Sequence, residues 1–278
     1  MHTRPAGPSF LKRRRPVFAS RARTRVRRSL LSLADLGIVP GVTPLKTHVI
    51  ICGFPRSGST LLQLIAETCY PYACTFREEK SGFNAQRELR RVSPLIITKQ
   101  PSDLFQVDEM VDFYRGMRPR PRLVLTTRDP RAVLTSRYSG RATSNVARGP
   151  DGYVMSAAIW REWFAHFEYV RRTHDVLVVE YSDLVQVPAR VEQAFSAFIG
   201  HTPTVPFEDF LTNVPGDFEM KALNGVRAFD PSNLERWKAV AHRPRIKTLL
   251  EEMPDLPDLL IESGYETDAT WTRDYQAS

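Results

Sequence analysis

His48-Val49-Ile50-Ile51-Cys52-Gly53-Phe54-Pro55-Arg56-Ser57-Gly58-Ser59-Thr60-Leu61-Leu62 passes from an apolar, β-branched run into small residues and then into a helical pattern. A short apolar run ending in glycine suits a strand of a parallel sheet, buried on both faces. The small residues after it put a turn directly before a helix N-terminus. Backbone N–H groups and the positive end of the helix dipole converge there on an anion. The stretch therefore predicts a strand, an anion-binding loop over Gly53 to Thr60, and a helix.

Working outward, the strand signal recurs at Leu95-Ile96-Ile97-Thr98, Leu123-Val124-Leu125-Thr126-Thr127 and Val176-Leu177-Val178-Val179. Helical patterns start near Gly58, near Asp103 and near Pro130. A longer one runs from 153 to 173, with Ile159, Trp160, Trp163, Phe164 and Phe167 at intervals of three and four. Strands separated by helices, each too continuously apolar for a one-faced sheet, predict an α/β fold: a single domain with a central parallel sheet flanked by helices. The C-terminal third reads as mostly helical.

A chain of 278 residues, 42% hydrophobic, can bury one large core. The formal net charge is +8, and residues 4 to 28 hold nine arginines and one lysine with no acidic residue. Residues 1–45 thus read as a basic, flexible extension before a domain over 46–278. A short helix at 29 to 36 is broken by the Gly- and Pro-rich residues 37–44. The basic tail fits a solvated extension, a patch for anionic surfaces, or a transit peptide. No run approaches the ~18 apolar residues of a membrane span. Cys52, Cys69 and Cys74 are an odd number in a long chain, with no Cys-x-x-Cys pair and no zinc-ligand spacing to histidines, so reduced structural thiols, no metal and a cytoplasmic setting are expected.

The loop matches Gly-x-x-x-x-Gly-Lys-Ser/Thr except that Ser59 stands where the lysine belongs. Kinases and nucleotide triphosphatases use that lysine on the terminal phosphates, so its replacement disfavours ATP. The cation sits instead at Arg56, inside the loop. A second anion site is predicted at Arg128-Asp129-Pro130-Arg131-Ala132-Val133-Leu134-Thr135-Ser136. Asp129 there caps a helix and Pro130 opens it. Arg128 at the strand end and Ser136, two turns into the helix, would share a phosphate by charge and hydroxyl.

Pro55-Arg56-Ser57-Gly58-Ser59-Thr60 resembles the 5′-phosphosulfate loop of sulfotransferases that use 3′-phosphoadenosine 5′-phosphosulfate (PAPS), and Arg-Asp-Pro-x-x-x-x-x-Ser resembles their 3′-phosphate site. The likeness continues through Val179-Glu180-Tyr181-Ser182-Asp183-Leu184, similar to the family's strand ending in Tyr-Glu-Asp-Leu, and into residues 226–238. It implies a P-loop-like sulfotransferase fold, PAPS as sulfuryl donor with 3′,5′-bisphosphate (PAP) as product, and no metal. It assigns Arg56, Ser57, Gly58, Ser59, Thr60 and Leu61 to the 5′-phosphosulfate, Arg128 and Ser136 to the 3′-phosphate, Tyr181 to the adenine side, and Arg227 to a late phosphate contact. The late segment departs from the Arg-Lys-Gly form of cytosolic members.

Sulfuryl transfer requires an acceptor hydroxyl or amine to lose a proton as it attacks. Cytosolic small-molecule members use a histidine between the two anion motifs, but here no histidine lies between His48 and His166. Members acting on heparan-type sugars use a glutamate in a Glu-x-x-Phe-Phe context. Phe76-Arg77-Glu78-Glu79-Lys80-Ser81-Gly82-Phe83 keeps the carboxylate and one aromatic, making Glu79 the expected base and Glu78 the alternative. Lys99-Gln100-Pro101 resembles the family's Lys-x-Pro step, so Lys99 and Arg56 would stabilise the transferring charge. The expected acceptor is a carbohydrate, a glycoconjugate or a secondary metabolite. Two rivals remain: a P-loop kinase-like phosphotransferase, and nucleic-acid binding through the tail. The second predicts salt-dependent binding but leaves both anion motifs unexplained, so no specific nucleic-acid partner is expected.

Overall fold

In the computed structural model, which describes residues 3–5, 18–76, 78–87, 91–137, 152–214 and 228–276, the four apolar runs form the strands Thr47–Gly53 (β1), Leu95–Lys99 (β2), Arg120–Thr127 (β3) and Val176–Glu180 (β4). They pair in parallel in the order β2-β1-β3-β4. Along the chain the helices are Phe18–Ala34 (α1), Ser59–Cys69 (α2), Gly82–Ala85 (α3), Val107–Tyr114 (α4), Pro130–Leu134 (α5), Ala157–Thr173 (α6), Tyr181–Gln186 (α7), Pro188–Ile199 (α8), Arg243–Glu252 (α9), Leu256–Glu262 (α10) and Arg273–Gln276 (α11).

Every residue of β1 is buried, as a strand covered on both faces must be. Alternation sends Ile50, Cys52, Leu123 and Leu125 to one core with Trp160, Trp163 and Phe167 of α6. Val49, Ile51 and Val124 go to the other, with Leu62 and Ile65 of α2 and Phe195 of α8. Cys52 and Cys69 are buried in these cores, and burial pushes their thiols up, Cys69 to about 12, as structural cysteines.

Three boundaries differ from expectation for local reasons. The helix foreseen at 29 to 36 is the end of α1, which starts at Phe18 inside the arginine-rich stretch. Its C-terminal end is fastened to the body. Leu31 is fully buried with Leu45, Ile96, Phe113 and Tyr114. The buried Asp35 carboxylate accepts from Arg91 Nε at 3.0 Å and from Leu45 N at 3.0 Å.

The long helix foreseen from 153 begins at Ala157, because Ser156 caps it by accepting from Ile159 N. Tyr153 instead forms an antiparallel bridge with Arg137. Near Asp103 the chain first makes the 3-10 turn Pro101–Gln106 and becomes α-helical only from Val107.

Candidate active site

The chain crosses from β1 to β2 on one side and then to β3 on the other, so the topology switches at the β1/β3 boundary. Open α/β sheets bind ligands in the crevice outside the strand ends at such a point. Here Gly53 pairs with Thr126, which puts the loop after β1 beside the corner after β3. Gly53 has φ 127°, and a Cβ there would lie 2.3 Å from the Thr126 carbonyl oxygen, so the close approach requires glycine. Phe54 N donates to that oxygen at 3.1 Å.

Within the loop, Ser57 is buried and turned inward. Its hydroxyl donates to the Phe54 carbonyl at 2.5 Å and shares a hydrogen bond with Thr126 Oγ1 at 2.7 Å. This holds the turn and leaves the hydroxyl occupied. Gly58, at φ 86°, precedes α2 and supplies no side-chain cap. The first intrahelical bond runs from Leu62 N to the Gly58 carbonyl at 2.9 Å. The N–H groups of Ser59, Thr60 and Leu61 therefore stand at a helix start without intrahelical partners, the arrangement an anion needs.

Arg56 is exposed and adopts φ 66°, uncommon for a side chain with a Cβ. From there its Nε donates to Ser136 Oγ at 2.9 Å. Ser136 itself is not two turns into a helix, as the sequence suggested. Helix α5 ends at Leu134, where the Thr135 hydroxyl bonds back to the Arg131 carbonyl at 2.7 Å. Arg137 then enters its bridge with Tyr153, so Ser136 is on the outgoing segment facing the loop.

Asp129 does cap α5, accepting from Arg131 N at 2.8 Å. Arg128 reaches the Arg56 carbonyl at 3.4 Å and the Asn233 carbonyl at 2.6 Å, and its guanidinium lies 4.2 Å above the Tyr181 ring. Burial lowers its pKa, and the like charge of Arg56 adds to this, partly offset by Tyr181, Asp129 and Glu180. Its Nε is buried without a hydrogen-bond partner among the described residues. Tyr181 also packs on Gly58, where a Cβ would fall 2.5 Å from Tyr181 Cδ2. Loop, arginine and tyrosine thus form one wall.

At the end of β2, Lys99 is only 2% exposed and its Nζ donates to Glu79 Oε1 at 2.5 Å; the Glu79 side chain is 54% exposed. The two residues expected to share the chemistry are in contact. Lys80 N donates to the Lys99 carbonyl at 3.2 Å, laying the Glu79 loop along the strand end. Glu78 is exposed. Arg227 lies outside the described residues.

Several residues at this end of the sheet were not singled out from sequence. Asp103 is buried and accepts from Ser81 Oγ and Gly82 N, both at 2.7 Å, so it anchors the loop carrying Glu79. Burial raises its pKa to about 6, and the Glu79 charge acts in the same direction. Glu180 ends β4 and accepts from the Tyr265 hydroxyl at 2.5 Å; burial raises it to about 7.

Arg131 is buried between the rings of Trp237 at 3.8 Å and Trp271 at 4.6 Å. It pairs with Asp129 at 2.7 Å and Glu266 at 2.5 Å. The C-terminal segment therefore clasps the β3–α5 corner. Its only prior signal was the tryptophan in residues 226–238.

A helix N-terminus without a side-chain cap at a β1/β3 switch point, with Arg128 beside it, has the geometry of an anion site on a P-loop-like parallel sheet. A family model described as "Sulfotransferase domain" matches residues 46–221, and the chain belongs to that family. Its reaction is sulfuryl transfer. Among solved structures it is similar to the sulfotransferase domain from the Synechococcus PCC 7002 olefin synthase, at 18% identity over 72% of this chain and 90% of that one, with TM-score 0.48. It is also similar to the sulfotransferase domain from the curacin biosynthetic pathway, at 14% identity over 76% and 99%, with TM-score 0.45. No curated protein matches the chain.

Proposed function

We propose that this chain transfers the sulfuryl group of PAPS to an acceptor hydroxyl or amine, on a carbohydrate, a glycoconjugate or a secondary metabolite. The observation that carries the reading is the contact between Arg56 and Ser136, which joins the two anion motifs into one site. The Arg128 Nε, without a partner among the described residues, and the N-terminus of α2, without a side-chain cap, suit the two charged ends of a bisphosphorylated nucleotide.

In this reading the N–H groups at Ser59, Thr60 and Leu61, with the Gly58 turn and the Ser57-braced loop, hold the 5′-phosphosulfate. Arg128 and Ser136 hold the 3′-phosphate; Tyr181 borders the adenine, and Arg227 adds a late contact. The donor, when bound, supplies a sulfur electrophile and a phosphate leaving group. Glu79 takes the acceptor proton as the acceptor atom bonds to sulfur, and the bond from sulfur to the phosphate oxygen breaks with its electron pair on that oxygen. Arg56 and Lys99 stabilise the charge developing there. Glu78 is the alternative base.

The acceptor class rests on the absence of a histidine between the motifs and on the Glu78-Glu79 segment. A kinase-like phosphotransferase is the rival, disfavoured by Ser59 in the lysine's place.

Thermal stabilisation by PAP, compared with ATP plus Mg²⁺, tests the donor. PAP should raise Tm and ATP should not; stabilisation by ATP alone would overturn the reading. Glu79→Gln should abolish transfer while keeping the PAP shift, whereas unchanged turnover would move the base to Glu78 or elsewhere. A cytoplasmic setting accords with the reduced thiols.

A further inference from the structure

Helix α1 and the turn after it carry a surface that sulfuryl transfer does not use. Six large apolar side chains left exposed fall close together: Val26, Leu30, Leu33, Leu36, Ile38 and Val39, with Val26 at 63% and Ile38 at 70% exposure. Val26, Leu30 and Leu33 follow one another at intervals of four and three and so form one stripe along the helix. The helix cannot roll this stripe inward. Its other side is fixed by the buried Leu31 and by the buried Asp35–Arg91 pair.

Cations border the stripe. Arg25 and Arg27 are exposed, and Arg28 donates to the Arg115 carbonyl. No acidic residue precedes Asp35 in the sequence. An exposed apolar stripe bordered by arginines, on a helix without carboxylates, is the pattern of a helix lying in a membrane interface. A polyanion such as nucleic acid would take the arginines but leave the stripe in water. A bilayer of anionic lipids takes both. Lying on the surface is also what α1 permits, since no helix among the described residues is long and apolar enough to cross a membrane.

We propose that α1 and residues 35–39 dock this protein on membranes rich in anionic phospholipid. Val26, Leu30, Leu33, Leu36 and Ile38 enter the acyl boundary while Arg25 and Arg27 meet headgroup phosphates. The proposal is independent of donor and acceptor.

Co-sedimentation of the full chain with phosphatidylglycerol–phosphatidylcholine vesicles, against pure phosphatidylcholine vesicles, tests it. Binding to the first and little to the second is expected. Arg25→Gln with Arg27→Gln should weaken partitioning about 25-fold, roughly fivefold per arginine. Val26→Ser with Leu30→Ser and Leu33→Ser should weaken it at least about tenfold at unchanged Tm, because these side chains are already in water. Absence of binding to the anionic vesicles would overturn the proposal. So would a serine variant that binds like the parent, since attraction to any polyanion would then suffice. A large fall in Tm for the serine variant would overturn it too, by showing that the chain itself covers the stripe.

Discussion

Arg56 Nε and Ser136 Oγ, 80 positions apart in the chain, are held 2.9 Å apart at the mouth of the β1/β3 crevice. The bond aims a guanidinium that sits on a left-handed backbone and is otherwise exposed. Ser136→Ala removes the acceptor of this bond and one hydroxyl from the proposed 3′-phosphate site. PAP affinity measured by calorimetry should fall about five- to tenfold, the equivalent of one hydrogen bond, with Tm nearly unchanged. Arg56→Lys should fail to restore what Arg56→Ala loses, because an ammonium lacks the fork that reaches a hydroxyl and an oxyanion together.

Gly58 allows the loop to approach Tyr181. Gly58→Ala meets both a positive φ and a ring carbon 2.5 Å away, and should cost about 1–3 kcal/mol in urea unfolding. Adding Tyr181→Ala should return the steric part of that loss while leaving the backbone part. It should also weaken PAP binding, since the ring supports Arg128 at 4.2 Å.

Lys99 and Glu79 are unequal partners, one buried and the other half in water. Glu79→Ala strands a buried ammonium and should destabilise the protein by about 1–3 kcal/mol, whereas Glu79→Ala with Lys99→Met should recover most of it. Activity should remain lost in both. Chemical denaturation and turnover measured side by side separate the structural share of the pair from its chemistry.

Two buried carboxyls give stability a pH dependence. Unfolded, they ionise near 3.8 for Asp103 and 4.5 for Glu180; folded, near 6 and 7. Between those values the folded chain retains protons that the unfolded chain has released. Stability should therefore fall as pH rises from about 4 to 7 and level off above. Asp103→Asn can still accept from Gly82 N and donate to Ser81, and Glu180→Gln can still accept from Tyr265. The pair of substitutions should flatten Tm against pH over that window. A parallel profile would show that other groups set the slope.

Much of this site could be read from the chain because its parts are local. The β1 run, the glycines at 53 and 58 and the Asp129-Pro130 cap each carry their conformation in neighbouring residues. What stayed hidden depends on distant contacts. Ser136 leaves α5 because Thr135 bonds backwards and Arg137 bridges to Tyr153, neither of which a helical pattern records. Asp103 acts through a turn some twenty positions earlier, and Arg128 is met by a backbone carbonyl at Asn233, which no side-chain pattern announces. Helix α1 was masked by composition. Its arginines suggested solvation, while Leu31 and Asp35 fasten it to the body.

The wedge of Arg131 between Trp237 and Trp271 has a practical corollary for anyone recombining such enzymes. The family-matched segment, residues 46–221, ends before both tryptophans and before Glu266. Grafted alone into another scaffold, it would leave a buried guanidinium without its stacking walls and with one of its two carboxylates missing. A functional transplant has to carry residues 228–276 along with it, making the C-terminal clasp part of the portable unit rather than an ornament on it.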